Sequence, residues 1–180
     1  FKLSIGRTAI TSEDIYTNEA IMAFADFDEK KFNIDFLHFL IANKNWLLGA
    51  KQAVKGQTLN KESIGNAKII IPPIKMQEEF ASIYNQADKS EFVGFKSQFI
   101  EMFNDSPLVR LEDHIETQSG GTPNTKKSEY YDGGTIPWLS SGEVNQGYIS
   151  STEKYITKEG LENSAAKWVP KNSVVIAMYG

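Results

Sequence analysis

The chain contains no cysteine. That removes disulfides, thiolate nucleophiles and cysteine-ligated zinc, and it fits a reducing compartment, the cytoplasm being the expected location. Histidine is almost as scarce: His38 and His114 are the only two, and neither has a second histidine at metal-ligand spacing. His38 sits in an apolar run, where a satisfied core or helix-surface imidazole is the expected role. Basic residues are not in excess either. Lys and Arg number 19 against 23 Asp and Glu, a net charge of −4. This balance argues against nucleic-acid binding driven only by phosphate neutralisation, while leaving room for a local basic face. No apolar run approaches the ~20 residues that span a bilayer; the longest, such as Val174–Met178, are strand-length. The first residues lack both an initiator Met and the pattern of a secretory signal, so the expectation is an excised or processed piece.

The constellations that carry catalysis are missing as well. Gly120-Gly121-Thr122-Pro123 has neither the spacing nor the following Lys-Ser/Thr of a phosphate loop. No G-x-S-x-G elbow occurs, and no strand is followed by a glycine motif for S-adenosylmethionine. Pro72-Pro73 follows Ile71 rather than the acid or amide of a methyltransferase signature. The acidic stretch Asp26–Asn33 lacks the sixth-position glycine and terminal glutamate of a calcium loop, and reads as a solvated turn. No catalytic residue, no cofactor and no metal are expected.

What is present is ordinary globular material, 41% hydrophobic and 23% charged, in a length of 180 residues that can bury one sizeable core or two small ones. Ile5–Ile10 and Ala20–Phe24 read as strands, Asn33–Asn43 as a helix whose apolar face extends through Trp46-Leu47-Leu48 to Gly49 with a break near Asn45, and Ala67–Ile71 as a strand stopped by Pro72-Pro73. Ile74 to Asn104 has no proline, and its apolar residues Phe80, Tyr84, Phe92, Phe95, Phe99, Met102 and Phe103 recur at helical spacing. The pattern predicts a helix of about thirty residues, on the order of 45 Å long, with an apolar face for a partner helix. Turn chemistry returns at Ser119–Pro123, with strands near Thr135–Leu139, Gly147–Ile149 and Ser173–Met178.

The polar loops hold the groups that read base edges and phosphates: Lys55, Gln57 and Thr58, then Asn124, Thr125, Lys126 and Lys127, then Ser140, Ser141, Asn145 and Gln146. Amides pair bidentately with adenine; lysines and hydroxyls reach phosphates. The same residues are also ordinary loop residues, and Lys126 and Lys127 equally serve solubility.

Taken in order, several motifs resemble the target-recognition domains of Type I restriction-modification specificity subunits. Ser119-Gly120-Gly121-Thr122-Pro123, Ile136-Pro137-Trp138-Leu139, Tyr155–Leu161, Asn163-Ser164-Ala165-Ala166, Val169-Pro170 and Val174–Gly180 follow the first part of such a domain. Gly6–Ile10, Thr17–Ile21, Gly56-Gln57-Thr58 and Ile69–Pro73 leading into Met76-Gln77-Glu78-Glu79-Phe80-Ala81 follow its second part. Lys96–Phe103 resembles the end of the helical spacer. Here the second part comes first, so the chain is either circularly permuted or a middle excerpt.

The resemblance implies an α+β fold: residues 1–73 as the C-terminal part of a recognition domain, 74–104 as a helical spacer, and 105–180 as the N-terminal part of a recognition domain, the β-rich segments being joined by a long coiled-coil-like helix. It implies a non-catalytic component that binds double-stranded DNA and joins modification (methyltransferase) and restriction subunits. With a long straight helix the two halves meet in a homodimer swapped through antiparallel helices; a helix that bends near Gly94 instead lets one chain close on itself. Two other readings stand beside it: the specificity region of a single-chain restriction-methylation enzyme, and a carbohydrate- or protein-binding module using Trp138, Tyr130, Tyr131 and Tyr148.

Overall fold

Two short apolar runs, Ile21–Ala25 and Val174–Ala177, come from distant parts of the sequence and lie side by side, paired antiparallel from Ile21 opposite Ala177 to Phe24 opposite Val174. This is seen in a computed structural model that describes residues 4–46, 59–86, 92–145 and 147–179, with only the backbone of 52–53, 56–57 and 92–96. The elements are β1 (Thr8–Thr11), β2 (Ile15–Thr17), β3 (Ile21–Ala25), α1 (Ile34–Asn43), β4 (Gln52–Ala53), β5 (Gly56–Gln57), α2 (Lys61–Gly65), β6 (Lys68–Ile70), α3 (Ile74–Gln86), α4 (Phe92–Phe103), β7 (Leu108–Arg110), β8 (Glu116–Ser119), β9 (Ile136–Leu139), β10 (Gly147–Ile149), β11 (Lys154–Ile156), α5 (Lys158–Glu162), β12 (Lys167–Val169) and β13 (Val174–Ala177). The fold is α+β with two principal mixed sheets: a five-stranded one in the order β10-β1-β13-β3-β8 and a four-stranded one in the order β11-β9-β2-β12.

The continuous apolar runs of β3 and β13 make sense because the five-stranded sheet is covered on both faces. Ile10, Met22, Phe24, Val174 and Ile176 point to one core, which they share with Leu37 and Ile41 of α1, Ile64 of α2, and Leu111 and Ile115. Their alternating neighbours Ala9, Ile21, Ala23, Val175 and Ala177 point the other way, onto Ile15, Leu139 and Val169 of the second sheet. Three of those five are alanines, which lets the two sheets approach closely.

Helix α1 is the third layer. Asn33 caps it by accepting from the Phe36 N–H, and the Trp46 indole donates to the Ile41 carbonyl in the last turn, 2.8 Å. The helix ends at Asn43, close to the break expected near Asn45; Trp46 folds back into the core, and 47–50 lie outside the described residues. Leu37 and Ile41 face the sheet, whereas Phe36 and Phe39 face α3 and α4.

The single long helix is corrected by the structure. The 74–104 stretch is two helices of 13 and 12 residues, and their aromatics meet: the Phe80 and Phe99 rings lie 5.4 Å apart. Along one unbroken helix these residues would stand roughly 28 Å apart, so the chain has doubled back. The physical reason is the aromatic cluster itself. Phe36, Phe39, Phe80, Phe99 and Phe103 form edge-to-face and stacked pairs, with Tyr84 and Met102 packed beside them. The face expected to meet a partner helix therefore closes on α1 of its own chain. Phe92 and Phe95 have side chains outside the described residues.

The expected domain swap loses its premise, since it rested on one straight helix holding the two halves apart. Strand β1 pairs with β10 and β13, and β2 pairs with β9 and β12, all within one chain. Residues after Pro107 thus complete those before Pro72 without a second copy. Among the described residues no helix is long and apolar enough to cross a membrane.

One side chain fastens the helical layer to the rest. Gln77, fully buried on α3, donates from its amide nitrogen to the Lys31 and Pro72 carbonyls, each 2.7 Å, and accepts from the Asn33 N–H at 3.0 Å. Replacing it with Leu strands three backbone groups in an apolar setting. Gln77→Leu is expected to cost about 3 kcal/mol, read as a fall in melting temperature of roughly 6–12 °C; an unchanged melting curve refutes this role.

Candidate nucleic-acid interface

Strand directions bring the polar loops to one end of the two sheets. Strands β1, β3 and β10 begin there; β13 and β8 end there. Strands β2 and β9 of the second sheet run parallel and end there too, since the Asn18 N–H donates to the Leu139 carbonyl and the Gly121 N–H to the Thr17 carbonyl. This end therefore carries Arg7, Glu19, Thr122, Ser140, Ser141, Asn145 and Tyr179. Leu59 is tied to it as well, donating its N–H to the Met178 carbonyl.

Glycine makes the junction possible. A Cβ on Gly120 would lie 1.8 Å from the Thr17 carbonyl oxygen, and one on Gly121 would lie 2.8 Å from the Ala165 Cβ. Trp138, 4% exposed, donates its indole N–H to the Gly121 carbonyl at 3.2 Å. The Thr122 hydroxyl donates to Glu19 at 2.6 Å, and the Tyr131 hydroxyl to the Pro123 carbonyl at 2.6 Å. These contacts make the Gly-Gly-Thr-Pro segment a scaffold. The phenols of Tyr131 and Tyr179 are held above their usual pKa by partial burial and then by the Glu19 charge.

The sequence-selected residues divide. Ser140, Ser141 and Asn145 stand together at the shared end. Ser140 is partly committed, donating its hydroxyl to Glu143 at 2.6 Å, while the other Glu143 oxygen accepts the Glu153 N–H. Asn124, Thr125, Lys126 and Lys127 leave that end along a loop that crosses the outer face of the second sheet. There the Asn124 side chain accepts the Lys126 N–H, and the Lys127 ammonium donates to the Tyr130 hydroxyl at 2.9 Å and lies over the Tyr130 ring. The hydrogen bond from Lys127 to Tyr130 raises the lysine pKa, chiefly by stabilising its charged form. The Lys126 ammonium makes no hydrogen bond or ion pair among the described residues. Gln57 is described only as backbone of β5; Lys55, Thr58 and Gln146 lie outside the described residues.

The opposite end of the sheets is acidic. A cleft there is lined by Asp14, Asp26, Glu29 and Lys171 beside Trp168, a poor setting for phosphate. Among the described residues no group of three or more His, Cys, Asp or Glu could hold a metal; His38 shares a 3.0 Å hydrogen bond with the Thr8 hydroxyl. Three of the four aromatics considered for a sugar site are accounted for within the fold. Trp138 and Tyr130 are buried and Tyr131 packs edge-on to Trp138. Tyr148 alone is well exposed, and its hydroxyl donates to Asp35 at 3.0 Å.

The Type I restriction modification DNA specificity domain family matches residues 2–98 and 105–180. The chain belongs to this family. Among curated relatives, the EcoR124I/EcoR124II specificity subunit of Escherichia coli is 39% identical over 59 residues, 33% of this chain and 15% of that protein. The MjaIX specificity subunit of Methanocaldococcus jannaschii is 31% identical over 75 residues, 40% of this chain and 17% of that protein. The matched stretches are thus a small part of each relative. Membership explains the order of the motifs, and the structure shows what this specificity domain uses them for: Gly120, Gly121, Trp138 and Gln77 hold layers together.

Arg7 and Glu19 escaped selection from the sequence because each lies inside a motif that reads as strand or turn. Only strand direction places them beside the β9–β10 loop. Gly120→Ala is expected to force β8 away from Thr17 at a cost of about 1–3 kcal/mol, seen as a lower denaturant midpoint at unchanged slope; a wild-type midpoint refutes the close approach.

Proposed function

We propose that this chain recognises double-stranded DNA through the loop-bearing end of its two sheets, as the non-catalytic specificity component of a Type I restriction-modification enzyme. The observation that carries the reading is the convergence of Ser140, Ser141, Asn145, Arg7 and Glu19 at one end of a fold whose family is a DNA specificity domain. Residues 1–73 and 105–180 act as one recognition unit, and 74–104 as the helical segment beside it. Methyl transfer and cleavage belong to modification and restriction subunits in the cytoplasm. The names of both relatives, each a specificity subunit, favour a separate subunit over a single-chain enzyme.

On this reading Lys126 and Lys127 face phosphate and the 140–145 loop faces base edges. Fluorescence anisotropy on duplex DNA should show binding that weakens as salt rises, because bound phosphates release counterions. Replacing Lys126 and Lys127 together by Ala should weaken binding to all sequences. The slope of log affinity against log salt should flatten by about one for each phosphate no longer neutralised. Absence of duplex binding at low salt refutes the function; a change confined to one base position refutes the phosphate role.

A further inference from the structure

Arg7 immediately precedes β1 and lies at the loop-bearing end. Strand β1 runs parallel to β10, from Ala9 opposite Gly147, so the residues that precede β10, Asn145 among them, share this end with Arg7. On its other side the Ala177 N–H donates to the Arg7 carbonyl at 2.9 Å, and the Arg7 N–H donates to the Ser4 carbonyl at 3.0 Å. The backbone is thus tied on both sides. Strand alternation puts Arg7 on the face of Ala9, where Ala177, Leu139 and Val144 are buried. The residue is half-buried, yet its guanidinium makes no hydrogen bond or ion pair among the described residues. With no carboxylate partner among the described residues, the guanidinium keeps its donors for a group outside the chain.

We infer that Arg7 is a specificity-determining residue, its guanidinium fork donating to the O6 and N7 acceptors of one guanine in the major groove. The inference rests on the DNA-recognition reading above. Three features favour a base edge over a phosphate. The backbone at Arg7 is held by Ala177 of β13 on one side and by its own turn at Ser4 on the other, which restricts where the side chain can go. The amide Asn145, a group suited to base edges, lies at the same end just before β10. The chain has an exposed, unpaired cation in Lys126 for backbone contact, whereas a planar fork with parallel donors matches guanine and a lysine does not.

The test is selection from a randomised duplex library by the full chain, in wild-type form and as Arg7→Lys and Arg7→Ala, with the salt dependence and melting temperature of each. Wild type should enrich a motif with guanine at one position, preferred roughly tenfold or more over other bases. Arg7→Lys should keep the salt dependence and the other positions, and reduce that preference to about twofold or less. Identical motifs and affinities for all three proteins overturn the assignment. So does an Arg7→Ala protein that weakens on every sequence alike and is rescued by Arg7→Lys, which is the behaviour of a phosphate anchor. A fall of more than about 5 °C in melting temperature for both variants makes Arg7 a structural residue. Failure of wild type to enrich any motif overturns the DNA-recognition reading, and this inference with it.

Discussion

The architecture depends on β13 lying between β1 and β3. That position buries Val174 and Ile176 on one face and Val175 and Ala177 on the other, so neither β1 nor β3 has a complete surface until the last strand arrives. Each fully buried Val or Ile contributes about 1.5–3 kcal/mol, and the insertion also supplies the hydrogen bonds that two edges would otherwise leave open. Because β13 follows β12 and β12 pairs with β2, the second sheet is drawn over the alanine-rich face by the same event. Fold closure and assembly of the loop-bearing end are therefore one process.

The helical layer is attached by contacts of a different kind. Gln77 satisfies every polar atom of its amide on backbone groups of the Lys31–Asn33 turn and of Pro72. Asp35, in the first turn of α1, accepts from Asn85 of α3 and from Tyr148 of β10. Partial burial, followed by the hydrogen bond and charge of Asp35, holds the Tyr148 phenol above its usual pKa. The carboxylate thus links the helices to the edge strand that follows the 140–146 loop. Directional bonds fix orientation where the aromatic cluster of Phe36, Phe80 and Phe99 supplies mainly cohesion.

Elements with a strong local pattern were legible in the sequence. Ala20–Phe24, Asn33–Asn43, Ala67–Ile71 and Ser173–Met178 correspond to β3, α1, β6 and β13, since two-sided burial and helical spacing leave marks on the residues themselves. Strands β2, β8, β11 and β12 were missed because three or four residues such as Glu116–Ser119 carry no period of their own. The long helix failed for an instructive reason. Phe80, Phe99 and Phe103 keep the same spacing whether they face a partner helix or close on α1, and sequence spacing cannot distinguish the two. For the candidate site, the order of motifs gave the family, but no local pattern shows that Arg7, Glu19 and Asn145 share an end. That follows from strand directions alone.

A net charge of −4 poses a constraint on any DNA-binding role. The attraction that lets basic proteins hold random duplex is weak here, and the acidic cleft of Asp14, Asp26 and Glu29 further restricts the surface a duplex can approach. On the DNA-recognition reading, this raises discrimination rather than lowering it. Specificity is the ratio of binding on target to binding elsewhere, and a small electrostatic term shrinks the denominator. Affinity must then come from oriented groups at one end of the sheets, whose geometry is set by the backbone clamps at Arg7, Gly120 and Thr17. The Arg7 guanidinium, the Glu19 carboxylate bonded to Thr122, and the short loop that carries Asn145 are groups of that kind. Their positions are set by the sheets, so variation in the intervening loops changes what is read without changing what folds.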